Sequence, residues 1–192
     1  MHYDEAHRAE HERFKAIDAA FRAGDLDALR AAVEDPAAIP NGHMPLAIGP
    51  CLEYAIYHSP IAFIRTLIEV GADLNPAHHD GFPPLHAALS CSHPQPGSPG
   101  RRDVVEVLRL LLASGADPNQ RGLNDWTPLH AAVAYRNLDA IPVLVEAGAD
   151  ARRRTRIDDC STPREDAESA KLPQFVRVLA DAESHTGKTD HA

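Results

Sequence analysis

Between Asn124 and Asp150 the apolar positions run in two short stripes. Leu129, Ala132 and Val133 recur at helical spacing, and so do Ile141, Leu144 and Val145. Residues that start or stop helices bound each stripe. Thr127 stands where a hydroxyl accepts a backbone N–H at a helix start. Pro128 follows at the first helical position, where a missing N–H costs nothing. Asn137 is placed to cap the second helix, and Gly148 supplies the positive φ that ends it. Pro142 falls near the second turn of that helix, removes one backbone bond and predicts a small kink rather than a break. The pattern predicts helix, turn, helix, then an extended connection opened by Asp150. A third stripe in "VVEVLRLLLASGAD", made of Val105, Leu108, Leu111 and Leu112, predicts another second helix.

The pattern repeats. GAD triplets begin at Gly71, Gly115 and Gly148, which are 44 and 33 residues apart; Pro-Leu-His begins at Pro84 and Pro128, again 44 apart. A 33-residue unit with an 11-residue insertion explains both gaps. "SCSHPQPGSPGRR", from Ser90 to Arg102, has the Pro, Gly and Ser content of a loop and lies in the longer interval. In this frame "FKAIDAAFRAGDLDALRAAVEDP" and "STPREDAESAKLPQFVRVLADA" are fainter copies. The expected organisation is one domain over 1–192. Its units run about 11–38, 45–77, 78–121 with an inserted loop 90–102, 122–154 and 155–184, and 185–192 is expected to be a flexible tail.

TPLHAA at Thr127–Ala132, PLHAA at Pro84–Ala88, the three GAD turns and the 33-residue spacing resemble the ankyrin repeat, across nearly the whole chain. The resemblance implies an all-α solenoid of about five stacked helix-turn-helix units with projecting β-hairpin loops. It also implies that His86 and His130 hydrogen-bond within and between neighbouring units. The end units are more polar: Arg164 and Glu165 stand where Leu129 and His130 stand, and Lys15 and Asp18 take the capping and histidine places in the first unit. Polar ends suit a stack, because only inner units are covered on both sides.

Composition narrows the function. A formal net charge of −9 argues against wholesale binding to nucleic acid or an anionic membrane. No apolar run approaches the ~20 residues that span a bilayer, and "MHYDEAHRAEHERF" has no apolar core of a secretory signal. Cys51, Cys91 and Cys160 form no CxxC pair and no even framework, so a reduced cytoplasmic compartment is expected; the protein is also expected to be a monomer. Phosphate-cradling loops, GxSxG and HExxH are absent. Asp158 and Asp159 are expected to be solvated in a long hairpin. The reading is of a chain that is not an enzyme and needs no cofactor. The alternative is an enzyme or metal-dependent module using surface histidines, either His7 and His11 at i, i+4 or the adjacent His78 and His79.

A protein partner, possible regulatory or inhibitory target included, is the expected ligand. In ankyrin repeats the variable positions of the concave groove bind partners. The repeat frame places Tyr57, His58, His78, His79 and Phe82 there, with Arg121, Leu123, Asn124, Trp126, Ala134 and Tyr135 in the fourth unit. Four of the ten aromatic residues and the single tryptophan fall on these positions, and aromatics anchor interfaces. Arg153, Arg154 and Arg156 in "ARRRTR" form the densest basic run of an acidic chain and suggest an electrostatic finger for an acidic partner.

Overall fold

The computed structural model describes residues 2–42, 44, 49–77, 82–93, 100–157 and 159–186. His78 and His79 lie outside them, as do Asp158 and residues 94–99 of the insertion. The chain divides into two compact units, Met1–Gly81 and Phe82–Ala192. The protein is all-α, and no strand occurs among the described residues.

The first unit holds α1 (His2–Ala23), α2 (Leu26–Ala32), α3 (Cys51–His58) and α4 (Ile61–Glu69). Here α1 packs on α2, α3 on α4, and α1 on α3. Ile17, Phe21, Leu29, Ile56, Phe63, Ile64 and Leu67 are buried between them. Because α1 runs uninterrupted, Lys15 caps nothing; its ammonium donates to Glu12 one turn back. Asp18 accepts from the Tyr54 hydroxyl at 2.8 Å and from Arg22 Nε.

The second unit holds α5 (Pro84–Ser90), α6 (Val104–Ala113), α7 (Pro128–Ala134), α8 (Ala140–Glu146), α9 (Pro163–Ser169) and α10 (Pro173–Thr186). Each odd helix packs on the even helix after it. The odd helices α5, α7 and α9 form one row, and α6, α8 and α10 another. Alanines at the row contacts, Ala87, Ala88, Ala131, Ala132 and Ala167, are fully buried, which lets the helices approach closely.

One termination device recurs. After α4, α6 and α8 the glycine of GAD takes φ of +96°, +104° and +95°. The glycine N–H and the following alanine N–H then return to the helix's last carbonyls, as Gly148 to Val145 at 2.9 Å and Ala149 to Leu144 at 2.9 Å. The third residue of GAD accepts the N–H two residues on: Asp73 from Asn75, Asp117 from Asn119, Asp150 from Arg152. An asparagine from the preceding unit brackets the next turn. Asn41 bonds the Gly71 carbonyl and the Asp73 N–H; Asn119 bonds the Gly148 carbonyl and the Asp150 N–H, all at 2.8–2.9 Å.

Three local expectations change. The buried stripe of α6 is Val104, Val107, Leu108 and Leu111, so Val105 and Leu112 sit at its edge. In α8 Val143 is buried and Val145 only half-buried. Asn137 does accept the Ala140 N–H at 3.0 Å, yet α8 begins only at Ala140. Pro142 therefore sits in the first turn, where its missing N–H has no partner to lose, and no kink is required.

Candidate partner-binding surface

The fourth helix pair positions the centre of the surface. Thr127 and His130 form a capping box at the start of α7. His130 Nε2 lies 3.0 Å from the Ser161 carbonyl oxygen, which only accepts, so Nε2 carries the proton. Nδ1 is then free to accept from the Thr127 N–H at 3.2 Å and the Thr127 hydroxyl at 2.8 Å. Burial holds the imidazole below its usual value of 6.5, against the opposing pull of Ser161 and Asp166. His86 repeats the bridge, its Nε2 lying 3.0 Å from the Gln120 carbonyl. Both PLH histidines thus tie a helix to the next connecting segment.

The segment before Thr127 is unusual. Gly122 N–H donates to the Trp126 carbonyl at 2.9 Å, closing a loop in which Asn124 and Asp125 both take φ near +57°. Two consecutive non-glycine residues in the left-handed region are strained and need outside support. Ion pairs supply it. Arg121 Nη1 donates to the Asp125 carbonyl at 2.8 Å and to its carboxylate at 2.6 Å, while Arg156, from the next connection, donates its backbone N–H and its guanidinium to the same carboxylate. The Arg156 hydrogen bond holds the Asp125 carboxyl below its ordinary range, outweighing burial, with the Arg121 charge adding to it. The loop is thereby fixed with Leu123 63% exposed and Trp126 half-buried.

Two cavities flank Trp126. One, of about 250 Å³, is walled by Phe82, Leu123, Trp126 and Tyr135, with His86, Asn124 and Ala134 completing it. Burial pushes the Tyr135 phenol pKa up. The other, of about 370 Å³, shares Asn124, Trp126 and Ala134 and continues to Arg136, Asp159, Ser161 and Asp166. Phe82, Leu123, Trp126 and Tyr135, named from the repeat frame, therefore meet at one place. Asp159 was read only as a solvated hairpin residue, and Ser161 and Asp166 were not singled out. Ser169 and Ala170, also on this wall, occupy the places that Ala134 and Tyr135 hold one unit earlier, and that correspondence was the available signal.

The arginine run is largely engaged within the chain. Arg154 makes two bonds to the Glu165 carboxylate, at 2.6 and 2.8 Å, and Arg152 donates to the Glu183 carbonyl. The Arg153 guanidinium donates to the Asn119 carbonyl at 3.3 Å. In the first unit, Tyr57 and His58 end α3. His58 packs on Tyr54, ring centres 4.4 Å apart, and burial with the nearby Arg22 charge lowers its pKa against the pull of Asp18.

The two buried thiols are not poised as nucleophiles. Burial pushes the Cys51 thiol up to about 12 and the Cys91 thiol up to about 11, so both stay protonated near neutrality. Among the described residues no three His, Cys, Asp or Glu side chains converge to hold a metal ion. None of the described helices is long and apolar enough to cross a membrane.

Stacked helix pairs, in-register glycine turns and bridging PLH histidines define an all-α repeat solenoid. A family model described as Ankyrin repeats (3 copies) matches residues 52–155 and 97–190. The chain belongs to the ankyrin-repeat family, whose members generally serve as protein–protein interaction modules and are typically not enzymes. No curated protein matches the chain.

Proposed function

We propose that this chain binds a partner protein on the surface centred on Trp126 and regulates that partner by occupying it. The observation that carries the reading is the convergence of Phe82, Leu123, Trp126 and Tyr135 on one cavity beside a strained, ion-paired loop. Aromatic side chains in partly desolvated pockets are the usual anchors of protein interfaces. The loop supports this use because its shape is set before any partner arrives, which lowers the ordering cost of binding. Arg121 and Arg156 act as positioning residues for Trp126, and Arg153 is the arginine of the run most open to a partner. Tyr57 and His58, and the histidines at 78 and 79, are further candidate contacts. Three free cysteines support action in the reducing cytoplasm, in our reading as a monomer.

Affinity capture from the native cell tests the proposal. Trp126→Ala with Tyr135→Ala should weaken capture of the partner by at least about 2 kcal/mol, while Arg109→Ala, on an exposed face of α6, leaves it unchanged. Well-folded Trp126/Tyr135 variants that keep full capture sink the reading.

A further inference from the structure

The two cavities beside Trp126 differ in chemistry, and the difference specifies an occupant. The smaller one is walled by three aromatic rings and Leu123, and among the described residues no carboxylate, lysine or arginine lines it. Its size suits one apolar side chain. Among the described residues the larger one carries two carboxylates, Asp159 and Asp166, against one guanidinium, Arg136. Ser161 donates its hydroxyl to Asp166. Asp159 is exposed and forms no hydrogen bond or ion pair with any described residue. The neighbouring arginines do not neutralise this wall, because Arg154 is turned to Glu165 and Arg156 to Asp125. Trp126 borders both cavities, and the face of an indole attracts a cation and repels an anion.

Building on the partner-binding surface, we infer that its ligand is a peptide segment with an apolar residue followed or preceded closely by lysine or arginine. The apolar side chain fills the space between Phe82, Leu123 and Tyr135. The chain crosses Trp126, and the cationic head lies against Asp159 and Asp166. Charge complementarity on the larger wall selects the sign, and the aromatic wall selects the neighbour.

Phage display of random octapeptides against the full chain tests this, with the selected peptides then synthesised and titrated. Enriched sequences should pair Leu, Phe or Trp with Arg or Lys within a few residues. Asp159→Lys should weaken the best peptide at least about tenfold, the scale of a lost charge-assisted contact. Because Asp159 is exposed, this variant should melt like the wild type. Tyr135→Ala should relax the apolar preference but keep the basic one. Enriched peptides that need Trp126 but lack a basic residue, that are acidic, or that ignore Asp159→Lys overturn the inference and leave the surface standing. Failure to enrich any peptide, or equal binding to folded Trp126→Ala, overturns the surface as well.

Discussion

The starts of α7 and α9 use the same cap for different ends. At α7, Thr127 and His130 close a capping box, and His130 still has a second nitrogen that reaches Ser161. At α9, Thr162 and Glu165 close the same box, the Glu165 carboxylate accepting the Thr162 N–H at 2.9 Å. Among the described residues Glu165 makes no forward bridge. It turns back to Arg154, which holds its pKa below the ordinary carboxylate range, the Thr162 N–H helping. Position by position the contrast continues, since Leu129 is buried while Arg164 pairs with Glu168 and Glu183. One local motif therefore serves both sites. What distinguishes them is which connection the capping side chain reaches: His130 the one that follows its helix pair, Glu165 the one that precedes its own helix.

The largest test of this contrast is Leu129→Ala, which should cost about 2–5 kcal/mol in a denaturant melt. Arg164→Ala, at the matching position, should shift the midpoint far less; equal shifts would erase the distinction. Next comes His130→Ala, expected to cost about 1–3 kcal/mol by leaving the Ser161 carbonyl and the Thr127 N–H without their partner. His130→Glu should restore the cap but not the bridge, and so recover only part of that loss. A full recovery would mean the bridge to Ser161 contributes nothing.

The third test is pH. The folded chain binds the His130 proton less readily than the unfolded chain, whose imidazole titrates near 6.5. As pH falls below about 6.5 the unfolded state takes up that proton first, so stability drops until the folded imidazole titrates too. Melts from pH 8 to pH 5 should show this loss, and His130→Gln should flatten it; an unchanged slope would contradict the neutral, buried bridge. The smallest effect belongs to Arg109→Ala, whose 3.8 Å contact with Glu146 is exposed. It should stay within about 0.5 kcal/mol of wild type.

The sequence made the cap readable because Thr-Pro-Leu-His encodes it within four residues. The GAD turns were readable for the same reason: a glycine must take positive φ, and its neighbours follow. The register of α6 and α8 was harder. In helices of seven to ten residues with neighbours on more than one side, Val104 and Val105 are equally good apolar candidates, and only tertiary packing chooses between them. The pairing within the arginine run was unreadable for another reason. Its partners Asp125 and Glu165 lie 31 and 11 residues away, and no spacing rule joins them. The left-handed pair Asn124 and Asp125, which sets out Leu123 and Trp126, is held in part by one of those distant partners, Arg156.

The interruption after α5 is closed at its base. Arg101 donates its N–H to the Cys91 carbonyl at 2.9 Å, and its guanidinium grips Asp103 at the foot of α6 with two bonds of 2.7 and 2.9 Å. The described ends of the interval are held to each other by this clasp and to the next repeat by the Asn137 amide, which donates to the Ser92 hydroxyl oxygen at 2.9 Å. Lengthening that interval costs only a slowly growing closure entropy. This clasp makes the site a grafting port: an epitope, a fluorophore attachment sequence or a second binding loop can be carried there while the repeats on either side keep their register.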